Sequence, residues 1–94
     1  MLKFIYDNKE VEVTFSHYDF KKETKIVKRT RCTICVEKHD LSFGYATQSV
    51  HDNFDRNVGR KIALTRALEH HGFSKNFRSV VWAKYFEARN GKKD

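Results

Sequence analysis

The sequence predicts an α+β domain in which an N-terminal antiparallel sheet of about four strands is followed by two C-terminal helices. Three observations predict it. Residues 2 to 50 consist of β-branched and aromatic runs separated by short polar stretches. Residues 52 to 90 change to apolar residues at helical spacing. The two patterns are segregated along the chain, not interleaved, which is the order of an α+β fold. Residues 1–94 make a single domain, because a chain this short supports one core.

In chain order, "LKFIY" and "EVEVTF" flank the polar turn "DNK" and read as a hairpin. The second strand alternates, with Val11, Val13 and Phe15 on one face and Glu10, Glu12 and Thr14 on the other. "SHYDFKKE", residues 16 to 23, reads as the connection to the next strand. "TKIVKRTRCTICVEK" is a long β-branched run that puts Ile26, Cys32, Ile34 and Val36 on one face and Arg29, Arg31, Thr33 and Cys35 on the other. "LSFGYATQSV" folds back on it through "KHD". Pairing Glu37 with Ser42 sets Tyr45 and Phe43 on the apolar face, and places Gly44 and Ala46 beside Cys35 and Thr33.

The first helix begins near Asp52 or Asp55, either of which can cap it, and stops at Gly72. Ser74 caps the second helix, which runs to about Asn90 with Phe77, Val81, Tyr85 and Ala88 as its stripe. On the first helix, Val58, Ile62, Leu64, Thr65 and Leu68 form the expected core side. The opposite side holds Gly59, Ala63 and Ala67 at spacings of four, among Arg56, Arg60 and Arg66. Glycine inside a helix costs about 1 kcal/mol relative to alanine, so the small stripe calls for a reason. It can seat a second backbone: that of the other helix, the Gly44/Ala46 patch or a dimer partner. Alternatively it forms an arginine-rimmed shelf for phosphate or for an acidic protein edge.

Bulk properties narrow the function. With 19 Lys and Arg against 12 Asp and Glu, the net charge is +7, which favours nucleic acid or an acidic protein as partner. No window approaches the ~20 apolar residues that span a bilayer, and Met1 to Tyr6 is too short for a secretory signal. A cytoplasmic setting is expected, with no membrane partner. Cys32 and Cys35 have zinc-knuckle spacing, but residues three apart on a strand face opposite ways. His51, Asp52 and Asp55 could gather a metal, although helix capping alone selects the aspartates. No P-loop, nucleophile elbow or dinucleotide fingerprint occurs. The expectation is therefore a protein that is not an enzyme, with no cofactor and no metal.

The run "GYATQSVHDNFDRNVGRKIALTRALE", residues 44 to 69, resembles a segment recurring in short phage accessory proteins. There a Gly-x-Ala strand leads through a His-x-Asp-x-Phe turn into a Gly-Arg-x-x-Ala-Leu-x-Arg-Ala helix. The matching positions here are Gly44, Ala46, His51, Phe54, Gly59, Arg60, Ala63, Leu64, Arg66 and Ala67. Val50 and Asp52 stand where a Pro or Cys often flanks the His. The resemblance implies a phage protein acting in the host cytoplasm by stoichiometric inhibition of a host defence, such as a CRISPR nuclease.

The sequence reading is thus an anti-defence inhibitor that binds a bacterial host protein such as a nuclease effector. Arg56, Arg60 and Arg66 are the first contact candidates, Arg29 and Arg31 the second, and Trp82 an apolar anchor. A homodimer is allowed. A basic module that binds DNA or RNA is the alternative. A sponge for a phosphorylated nucleotide signal, held by arginines and an aromatic ring at a dimer interface, is the third reading, and it requires a pocket.

Overall fold

Period-two alternation in the first half of the chain closes into one sheet because each polar break is a tight turn. In the computed structural model, which describes residues 2–49 and 55–90, β1 (Leu2–Tyr6), β2 (Lys9–Lys22), β3 (Lys25–Val36) and β4 (His39–Ser49) pair antiparallel in the order β1-β2-β3-β4. Helices α1 (Arg56–His70) and α2 (Lys75–Asn90) follow. The architecture is the α+β arrangement read from the sequence.

Two strand assignments change. Residues 16 to 22 are not a connection: β2 continues through them, pairing with β3 from Val11↔Val36 to Lys22↔Lys25. Alternation persists in that stretch, with His17 opposite Thr30 on one face and Tyr18 opposite Arg29 on the other. The second change concerns the register of β4. Ser42 pairs with Ile34, Gly44 with Cys32 and Ala46 with Thr30, so Gly44 and Ala46 join the apolar face while Phe43 and Tyr45 leave it. The cause is a bulge. The turn at Glu37–Lys38 sets Val36 against His39, and the register then slips between Ile34 and Cys35, leaving Leu41 as an extra residue on β4. One extra residue sends every later side chain to the opposite face.

Both helices cover the face that carries Val11, Val13, Cys32, Ile34 and Ala46, all buried. The face of α1 that meets the sheet is the small one: Gly59, Ala63 and Ala67 are buried with Leu64 and Leu68. Val58 and Thr65, expected in the core, are exposed. The helix comes within backbone contact of β4. A Cβ on Gly44 would collide with the Ala63 carbonyl and the Ala67 amide, and the buried Ser42 hydroxyl donates to the Ala67 carbonyl at 2.5 Å. The small stripe therefore exists to seat α1 on β4.

Local signals fix the helix ends. Asp55, in extended conformation, accepts the Asn57 amide at 2.8 Å as N-cap. Gly72 adopts φ +73°, a left-handed conformation that ends the helix. Ser74 accepts the Phe77 amide at 3.1 Å. Along α2, Phe77, Val81 and Tyr85 are buried, whereas Ala88 is exposed. Tyr6 ties β1 to the start of α2, through its ring on Phe77 and its hydroxyl on Asn76.

Candidate anion-binding cleft

The five candidate arginines lie in three places. Arg66 sits beside the edge strand and donates to the Tyr45 carbonyl at 2.6 Å. Arg29 and Arg31 project from the sheet face that the helices leave uncovered, since their neighbours Thr30 and Cys32 point into the core. Arg60 stands on the other flank of α1 from Arg66, and Arg56 lies one turn before it. Trp82 is half-buried beside the core, stacked on Phe86 with ring centroids 5.7 Å apart. His51 and Asp52 lie outside the described residues. Cys32 is buried in the core, whereas Cys35 pairs with Glu12 on the uncovered side. Burial pushes the Cys32 thiol up to about 12. Burial and the carboxylates of Asp40 and Glu12 raise that of Cys35, so neither is a ready thiolate.

Arg60 does not stand alone. It lines a cleft of about 320 Å³ between β1, β2, α1 and α2, together with Leu2, Phe15, His17, Tyr85, Ala88 and Arg89. That volume falls at the small end of the range for small-molecule sites. Sequence reading missed Arg89, His17 and Tyr85, because nothing in their spacing says that the start of α1 meets the end of α2. Asn57 makes the junction. Its side-chain oxygen accepts from the Arg60 guanidinium at 3.0 Å and from that of Arg89 at 2.5 Å.

Two guanidinium groups are thereby gathered on one neutral amide. Among the described residues, no carboxylate forms a salt bridge with either. Like charges held this way repel, and an anion between them relieves the repulsion. Guanidinium presents paired N–H groups that match phosphate or carboxylate oxygens. Arg89 also lies over the Tyr85 ring at 5.9 Å. Phe15 meets Tyr85 edge-on at 5.8 Å.

Two polar groups complete the cleft. The Tyr85 residue is 2% exposed, and its hydroxyl is buried with no hydrogen-bond partner among the described residues. A buried hydroxyl of this kind costs ~1–3 kcal/mol until something bonds it. His17 shares a hydrogen bond with the Thr30 hydroxyl at 2.8 Å. Burial lowers its pKa below the usual 6.5, and the charges of Arg60 and Arg56 lower it further. His17 is therefore held toward the neutral imidazole. Gly59 supports this arrangement from behind: a Cβ there would stand 2.7 Å from the Thr30 hydroxyl that holds His17.

The cleft thus offers cationic donors beside aromatic side chains. No nucleophile paired with a base is evident among its lining residues, and no group of three or more potential metal ligands occurs among the described residues. No helix among them is long and apolar enough to cross a membrane. Compared with known proteins, the chain matches no family model, no curated protein and no solved structure.

Proposed function

We propose that this protein is a non-catalytic binding protein whose cleft captures a small phosphorylated ligand of the nucleotide class. The observation that carries the reading is the pair of arginines, Arg60 and Arg89, gathered on Asn57 with no salt-bridged carboxylate among the described residues, in a cleft that Phe15 and Tyr85 also line. Phosphate fits between the guanidinium groups, and the apolar part of a ligand meets the half-buried Phe15.

In the phage setting that the 44–69 segment resembles, capture of a phosphorylated signal inhibits a host defence by removing its messenger. The protein then acts stoichiometrically in the host cytoplasm. Blocking a nuclease effector through an arginine-rich helix surface draws less support from the structure. That mode asks Arg56, Arg60 and Arg66 to act as one surface, and Arg66 lies on the other flank of α1, bound to the Tyr45 carbonyl.

Thermal melting with inorganic phosphate, nucleoside monophosphates, dinucleotides and cyclic nucleotides tests the proposal. A ligand at ten times its Kd adds about 1.4 kcal/mol to stability, which raises Tm by several degrees for a domain of this size. At least one nucleotide should give a saturable shift that Arg89→Ala reduces by ten- to a hundredfold in affinity, the range of one charge-assisted contact. A panel that leaves Tm unchanged, or a shift equal in Arg89→Ala, rejects the cleft as the site.

A further inference from the structure

The uncovered face of the sheet carries a second pattern that the cleft does not use. Along β3 its outward residues are Arg29, Arg31 and Thr33. Tyr18 on β2 stands opposite Arg29, and Tyr45 and Phe43 on β4 stand opposite Arg31 and Thr33. Rings on the two neighbouring strands thus flank the arginines of β3. The rings are open to solvent: Tyr18 is 37% exposed, Phe43 37% and Tyr45 40%. The Arg29 guanidinium lies 4.0 Å from the Phe20 ring centroid and 5.5 Å from that of Tyr45. Its Nε donates to the Thr47 hydroxyl at 3.1 Å, which fixes the plane of the group.

We propose that this face binds single-stranded nucleic acid, with bases stacked on Tyr18, Phe43 and Tyr45 and phosphates held by Arg29 and Arg31. Flat, half-open rings accept a base on their free side, and stacking of this kind tolerates any sequence. An arginine stacked on rings keeps its N–H edge for a phosphate. Stacking on these rings needs bases whose faces are free, which a single strand offers and the interior of a duplex does not. Charge agrees, since the chain carries +7 overall and every charged side chain that β3 puts on this face between residues 25 and 33 is basic. The competing occupant is a second copy of the chain, whose Glu10 and Glu12 could meet these arginines. Thr14, Ser16 and Thr33 between the rings make the face more polar than the core of a typical homodimer interface. This inference is independent of the cleft, which lies on the other side of the sheet.

The test is fluorescence anisotropy with labelled twelve-residue oligo-dT and oligo-U and a duplex of equal length, at near-physiological salt. Single strands should bind at least tenfold more tightly than duplex. Tyr45→Ala should weaken that binding about tenfold, the size of one lost base–aromatic stack. Arg29→Lys keeps the charge and loses the planar contact, and it too should weaken binding. Lys84→Ala, which removes an exposed charge on α2, should have no effect. DNA and RNA arms of equal strength mean that the sugar is not read; a stronger RNA arm means that it is. Equal binding of duplex, or an Arg29→Lys variant with unaltered affinity, overturns the proposal. So does a dimer by light scattering that Tyr45→Ala converts to monomer, since a second copy then occupies the face. Circular dichroism of each variant checks folding, and Arg29→Lys alone decides the outcome if Tyr45→Ala does not fold.

Discussion

Asn57 is the residue on which the cleft turns, because it orients two cations without neutralising either. Asn57→Asp keeps the shape and supplies the missing negative charge. The expected outcome is a protein that melts higher than the wild type and has lost its affinity for phosphorylated ligands; retained binding would mean that the paired arginines are not the anion site. His17 gives a pH signature. Its folded pKa is depressed by burial, Arg60 and Arg56, so below 6.5 the unfolded chain takes up a proton more readily than the folded one. The stability contributed by neutral His17 is fully present above pH 6.5 and is lost as pH falls through the depressed value. Denaturant unfolding across pH 5 to 7.5 should show this loss, and His17→Gln should flatten it.

At the scale of elements, the contact between α1 and β4 is the tightest in the fold. Gly44→Ala places a methyl group against helix backbone that cannot yield, and a destabilisation of about 3 kcal/mol or more is expected from overpacking. A denaturation midpoint close to that of wild type would show that α1 does not sit so near. The Glu37–Lys38 turn offers the opposite case. Both residues have positive φ, 52° and 66°, a conformation that suits Asn-Gly. Glu37→Asn with Lys38→Gly should stabilise the protein by ~1 kcal/mol, by removing left-handed strain. That turn also explains the limit of sequence reading. The strand run from Lys25, both helices and the caps at Asp55, Gly72 and Ser74 were legible from residue type and period. The faces of β4 were not, because Leu41 carries no mark of a bulge. The match between the small residues Gly44 and Ala46 and the helix stripe Gly59/Ala63/Ala67 was the available clue. Arg60 was legible as a contact candidate, whereas Arg89 and Tyr85 join it only through tertiary packing.

For the molecule as a whole, β2 and β3 are the longest strands, of 14 and 12 residues, and the extents are 46 × 33 × 21 Å. The sheet has one face that carries the helices and one that carries solvent. Net charge of +7 is shared between them: Arg56, Arg60 and Arg89 gather at the cleft side, Arg29 and Arg31 on the other. General attraction to polyanions follows from such a charge and weakens as salt rises. Binding in the cleft depends on geometry and should survive near-physiological salt. The measurement that separates the two is a nitrogen-resolved NMR titration of the arginine side chains with the best nucleotide from the melting panel. The cleft reading predicts saturable shifts of the Arg60 and Arg89 guanidinium signals, accompanied by the Tyr85 ring, while Arg29, Arg31 and Arg66 stay in place. Shifts spread evenly over all the arginines, or confined to Arg29 and Arg31, would contradict it.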